Sequence, residues 1–131
     1  ILGGGFAGRL MKTVRDAEGL TYGIYAGVSD NLFLVKTSFN PKLLQRGIAS
    51  TENQLKMWRH GVTAQELQVH KQMIIGKRAV LQDDMARYVD FMHSNKISDA
   101  ELNGVTLEDI NVALEALPPF FRVSSGPFET V

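Results

Sequence analysis

The 131-residue chain contains no cysteine, which excludes a disulfide framework and any thiolate metal site and leaves the compartment open. It also carries no net charge, because fourteen Lys and Arg balance fourteen Asp and Glu. No overall field draws it to nucleic acid or to an anionic membrane, so neither is expected as a partner. No apolar run approaches the roughly 20 residues of a membrane span, and no charged-then-apolar signal segment leads the chain. A soluble protein, cytoplasmic or periplasmic, is expected.

What is present is a hydrophobic content of 44%, ordinary for a globular domain and enough for one real core. We expect residues 1–131 to form a single domain. Because Ile1 opens directly on a glycine-rich turn, we further expect a truncated domain, cut from a longer protein.

Gly3, Gly5 and Gly8 in ILGGGFAGRLMK spell G-x-G-x-x-G, the fingerprint of a dinucleotide pyrophosphate on a helix N-terminus. That motif requires a preceding strand, a following helix and a parallel second strand. Arg9 to Glu18 does read as a short helix, with Leu10, Val14 and Ala17 on one face, Arg9, Lys12 and Asp16 outward, and Gly19 as its stop. Leu20–Val28 and Leu32–Phe39 then read as two strands joined through Ser29, Asp30 and Asn31. So short a connection makes them antiparallel, since parallel neighbours need a crossover, and the fingerprint fails its context.

Helix-start chemistry dominates the rest. Asn40 caps before Pro41, and Leu44, Ile48, Leu55 and Trp58 recur at helical spacing up to Gly61. GVTAQEL holds a capping box of Thr63 and Glu66 with a Val62 and Leu67 staple, and GVTLEDI repeats that grammar at Thr106 and Asp109 with Val105 and Ile110. Thr63–Leu81 and Asp84–Lys96 read as helices broken at Gln82-Asp83-Asp84, Ser98 with Glu101 as a further helical turn, and Pro118-Pro119 as the end of the last helix. Phe120–Ser124 reads as a final strand before a turn at Gly126 and Pro127. The fold class is α+β: two or three antiparallel strands with several helices on one face.

Few residues offer chemistry. His60, His70 and His93 are the only imidazoles, and separations of ten and twenty-three residues match no metal-ligand spacing on one helix. His70 follows Leu67 on a face continued by Met73 and Ile74, which suits a packed histidine, and His60 sits at a helix end where the dipole favours a cation. Ser124 and Ser125 have no histidine near in sequence to activate them. The stretch RDAEGLTY is different. It places Arg15 near a helix end and Tyr22 early in the following strand, one tight turn apart, so that their side chains can converge before the sheet edge with five fixed donors and one mobile one. Alternatively, Arg15 only satisfies the helix dipole and Tyr22 is a sheet aromatic.

GGGFAGRLMKTVRDAEGLTYGIYAGVSD, followed by NLFLVKTSFNP, WRHGVTAQELQVHK and GVTLEDI, resembles the C-terminal, non-zinc half of pitrilysin and insulinase-type zinc peptidases over about residues 1–117. The resemblance implies paired α+β domains facing one another like a clamshell. It implies zinc in the complete enzyme, bound by an H-x-x-E-H helix of the other half, with no metal ligand in this chain. It implies that Tyr22 reaches the scissile carbonyl oxygen as charge develops, that Arg15 holds a neighbouring substrate carbonyl, and that Gly3, Gly4 and Gly5 line the substrate cavity. The expected partners are a peptide substrate, a zinc-bearing N-terminal half or subunit and, through unpaired strand edges, a second copy of the chain. Alone, the chain is expected to be inert. The alternative is a non-catalytic partner or core subunit acting as scaffold and peptide binder.

Overall fold

The computed structural model of the chain describes residues 1–3, 5–29, 32–94 and 97–126. Gly4, Asp30, Asn31 and Pro127, named above, lie outside the described residues, as do Asn95 and Lys96. The chain starts with a loop, containing a short 3₁₀ turn at Gly5–Ala7, that doubles back on the first helix. Ile1 and Leu2 carbonyls accept from the Arg9 and Leu10 backbone N–H groups at 3.1 and 3.0 Å, which satisfies donors a helix start leaves free.

That first helix is wound as a π-helix over Met11–Ala17. The Glu18 N–H reaches five residues back to Thr13 O at 2.9 Å. Leu10 and Val14 are fully buried as expected, whereas Ala17 is exposed, because the wider winding rotates it off the apolar face. Arg9 does not point outward either: its guanidinium turns to Glu66, while Lys12 and Asp16 remain in solvent. Gly19 ends the helix at φ +63°, a left-handed conformation that glycine adopts without a Cβ clash.

Strands β1, Ile24–Ser29, and β2, Leu32–Thr37, pair antiparallel from Ile24 opposite Thr37 to Ser29 opposite Leu32. The first strand starts four residues later than expected, since the Arg15 and threonine contacts described below engage residues 21–23 instead of a ladder. Period-two alternation puts Ile24, Ala26, Phe33 and Val35 on the inner face, where they meet Leu2, Leu10, Val14 and Leu20.

Asn40 caps the next segment, its side chain accepting from Lys42 N at 3.0 Å, and a 3₁₀ turn at Pro41–Leu43 leads into α1, Leu44–Arg59. Helix α1 lies against the same face of the sheet, with Trp58 stacked on Phe33 at 5.2 Å between ring centroids. Helices α2, Ala64–Leu81, α3, Met85–Ser94, α4, Asp99–Gly104, and α5, Leu107–Glu115, follow. Three complete capping boxes start α2, α4 and α5, at Thr63 with Glu66, Ser98 with Glu101, and Thr106 with Asp109.

No third strand forms among the described residues. Phe120–Ser124 runs along α1 as irregular chain, because its polar partners are side chains. Arg59 donates to Leu117 O at 2.6 Å and Pro118 O at 3.2 Å, Phe120 packs on Phe33, and Arg122 pairs with Glu52 at 2.8 Å. Pro118 and Pro119 bring no N–H to a ladder. The fold is α+β, with helices on one face of a two-stranded antiparallel sheet.

Candidate functional site

The site is built where the π-helix meets β1. Arg15 leaves the last turn of that helix and donates from Nε to the Tyr22 carbonyl at 2.8 Å. Its Nη1 bonds Asp16 at 3.1 Å, and its guanidinium lies 5.7 Å from the centroid of the Phe6 ring. Arg15 therefore meets the backbone of Tyr22, not its hydroxyl. Tyr22 as a whole residue is fully exposed, at 101%. A shallow open cleft of about 240 Å³ lies beside it, lined by Gly19, Leu20, Thr21, Ser38, Asn40 and Leu43.

The glycine loop sits near by, and its members have different surroundings. A Cβ on Gly3 would stand 2.3 Å from Ala26 Cβ and 2.6 Å from Ala26 N, so β1 admits only glycine there. Gly5 is exposed, with open space where its side chain would be. Gly4 lies outside the described residues.

Arg9, Glu66 and His70 form a second polar cluster. Glu66 receives Arg9 Nε at 2.5 Å and Nη2 at 2.7 Å, along with the Thr63 N–H at 2.8 Å and hydroxyl at 3.0 Å. The fork from Arg9, and after it the Thr63 donors, lower its carboxyl pKa to about 2. His70 is buried, its Nδ1 2.9 Å from Glu66 O, and desolvation lowers its pKa. That makes it a packed histidine that holds a helix carbonyl. His60 is the C-terminal cap residue of α1, and His93 is exposed on α3. Among the described residues, no three His, Asp or Glu side chains stand close enough to hold a metal ion, so this donor set does not fit a zinc site.

The sequence reading missed two features of this region. Arg9 and Glu66 are fifty-seven residues apart, and nothing local to either announces the pair. The hydroxyls of Thr21 and Thr37, 3.1 Å apart, meet only because of the hairpin register. A threonine on each side of a hairpin is the one signal that pointed to the second.

Residues 1–74 match the family model described as the peptidase M16 inactive domain, and the chain belongs to that family. Two solved structures have the same fold. A crystal structure of a peptidase M16 inactive domain from Pseudomonas fluorescens is 24% identical, with a TM-score of 0.69 over 87% of this chain and 31% of that one. A conserved protein from Enterococcus faecalis V583 is 20% identical, with a TM-score of 0.70 over 88% of this chain and 30% of that one. The chain thus spans under a third of the length of these structures. No curated protein matches it.

Proposed function

We propose that this chain is part of the non-zinc half of a zinc metallopeptidase, completing a peptide-binding cavity whose metal is held by the other half. Tyr22 donates its phenolic proton to the scissile carbonyl oxygen as negative charge develops there. Arg15 supports that position and offers Nη2, which bonds no described residue, to a neighbouring substrate carbonyl. Gly3 and Gly5 line the wall past which the peptide backbone runs. The observation that carries this reading is the full exposure of Tyr22 on a backbone tied down on both sides, beside an open cleft.

A second reading, a scaffold or core subunit that binds peptide without cleaving it, is favoured by the contacts Arg15 already makes to Tyr22 O, Asp16 and Phe6. Kinetics of the chain combined with its zinc-bearing half separate the two. Tyr22→Phe is expected to lower kcat roughly 100-fold with little change in KM, the usual consequence of losing one oxyanion donor. Unchanged kcat in folded Tyr22→Phe protein leaves the scaffold reading. The chain by itself is expected to self-associate through the edges of its two-stranded sheet, which no further strand covers among the described residues. A monodisperse monomer in concentrated light scattering would remove the homodimer.

A further inference from the structure

The cross-strand ladder begins only at Ile24, so strand pairing does not hold residues 21–23. A cluster of hydroxyls does. Thr21 Oγ1 lies 2.8 Å from Ser38 O and 2.9 Å from Gly23 O, and it accepts the Gly23 N–H at 3.2 Å. Thr37 Oγ1 lies 3.1 Å from Thr21 Oγ1 and 3.1 Å from Gly23 O. Each hydroxyl has one proton and two lone pairs. With Thr21 donating to Ser38 O and Thr37 donating to Gly23 O, both protons are placed and Thr21 keeps a lone pair for Gly23 N. The residues before and after Tyr22 are therefore joined to each other and to the end of β2, while Arg15 Nε closes on the carbonyl between them.

This network encloses a side chain that adds nothing to the core, since Tyr22 is fully exposed. A fold needs no such fixation at a surface aromatic. A donor that must meet a carbonyl oxygen within hydrogen-bond reach does need it, because displacement by an ångström forfeits much of the rate.

We propose that Thr21, backed by Thr37, is a positioning residue that fixes the backbone of Tyr22 and thereby the aim of its hydroxyl. This rests on the role given to Tyr22 above. Thr21 touches no substrate; it acts through its neighbour. The isosteric change Thr21→Val removes both donor and acceptor without changing shape, and Thr21→Ser restores them without the methyl group.

The test has two arms. Nitrogen-15 relaxation of the full chain reads the order of Tyr22 and Gly23, and peptide cleavage by the chain combined with its zinc-bearing half reads function. In Thr21→Val the order parameters at both residues are expected to fall from the rigid range, about 0.85, to below about 0.6. In the same variant kcat is expected to fall roughly 10- to 100-fold with KM within about twofold. Thr21→Ser is expected to match the parent in both. Thr37→Val gives the same readouts from the other strand should Thr21→Val fail to fold.

Tyr22 staying rigid in a folded valine variant would overturn the proposal. So would a loss confined to KM, or an unchanged kcat in a background where Tyr22→Phe does lower it. If Tyr22→Phe itself leaves kcat unaltered, the functional reading of the tyrosine fails. The catalytic part of this proposal then fails with it, and the relaxation arm still decides whether the hydroxyls hold the backbone.

Discussion

The two ends of this molecule are held together by different chemistry. From Leu2 to Ile24 five buried apolar side chains form one cluster, and Phe33, Val35, Phe39, Leu55 and Trp58 close around it. Beyond His70 only Leu102 and Leu114, among the described residues, are buried apolar side chains, and cations add anchors beside them. Lys71 Nζ donates to Asn103 O at 2.8 Å and Val105 O at 2.6 Å, and the buried Arg78 pairs with Asp99 and donates to Ile97 O at 2.6 Å. Over the same stretch Val80, Met85 and Val89 are mostly exposed. The first region excludes water from a continuous apolar volume; the second buries isolated leucines and fixes its helices further at a few polar points. Burial is non-directional and cooperative, whereas point contacts release one element at a time, so the two regions should fail differently.

The largest expected effect tests the first half of that contrast. Leu10→Ala removes a fully buried side chain from the centre of the cluster and should cost about 3–4 kcal/mol, with the whole chain melting earlier as one transition. Val80→Ala, on a side chain that is 73% exposed, should stay within about 0.5 kcal/mol. Similar losses for both in urea melts would break the distinction.

Arg78→Met tests the second half. It keeps the apolar stem but strips Ile97 O and Asp99 of their donor, at a cost of about 2 kcal/mol. Because α4 is short and tied to α2 through these cations, amides of Asp99–Gly104 should exchange faster while those around Val14 keep their protection. Uniform acceleration across the chain would mean that the two regions unfold as one.

The legibility of the sequence divides in a related way. Features written in contiguous residues could be read in advance. The caps at Asn40, Thr63, Ser98 and Thr106, the left-handed Gly19, the break at residues 82–84 and the antiparallel hairpin each follow from a few neighbouring side chains. Features set by partners far along the chain could not. Phe120–Ser124 has strand composition, yet Arg59 claims the carbonyls just before it and Phe120 finds aromatic company on Phe33. Arg9 has the spacing of a solvent-facing residue, yet a carboxylate fifty-seven residues away captures it. At the candidate site, the closeness of Arg15 and Tyr22 could be read from seven residues of separation, but not that the arginine would bond the backbone, nor the threonine cluster. Local propensity carries no information on tertiary partners.

The smallest effect concerns the joint between the regions, where Glu66 of α2 grips Arg9 of the first helix. Its carboxyl has a folded pKa of about 2, below the value of 4.5 ordinary for glutamate. A carboxyl depressed on folding stabilises the native state fully above the unfolded pKa and loses that contribution as pH falls through the folded one. The joint should therefore hold at neutral pH and weaken from about pH 4.5 down to about pH 2. Solvent reaches both partners, whose side chains are 18% and 26% exposed, so screening limits the change to about 1 kcal/mol. His70 acts in the same direction at higher pH, because burial lowers its pKa and acid must charge it against that preference. Glu66→Gln keeps the shape of the side chain and removes the titration. Melting temperature should then fall less steeply below pH 4.5 in the variant than in the parent, since the depressed carboxyls of Glu101 and Asp109 still titrate in both. Parallel curves would show that the joint owes little to the ion pair.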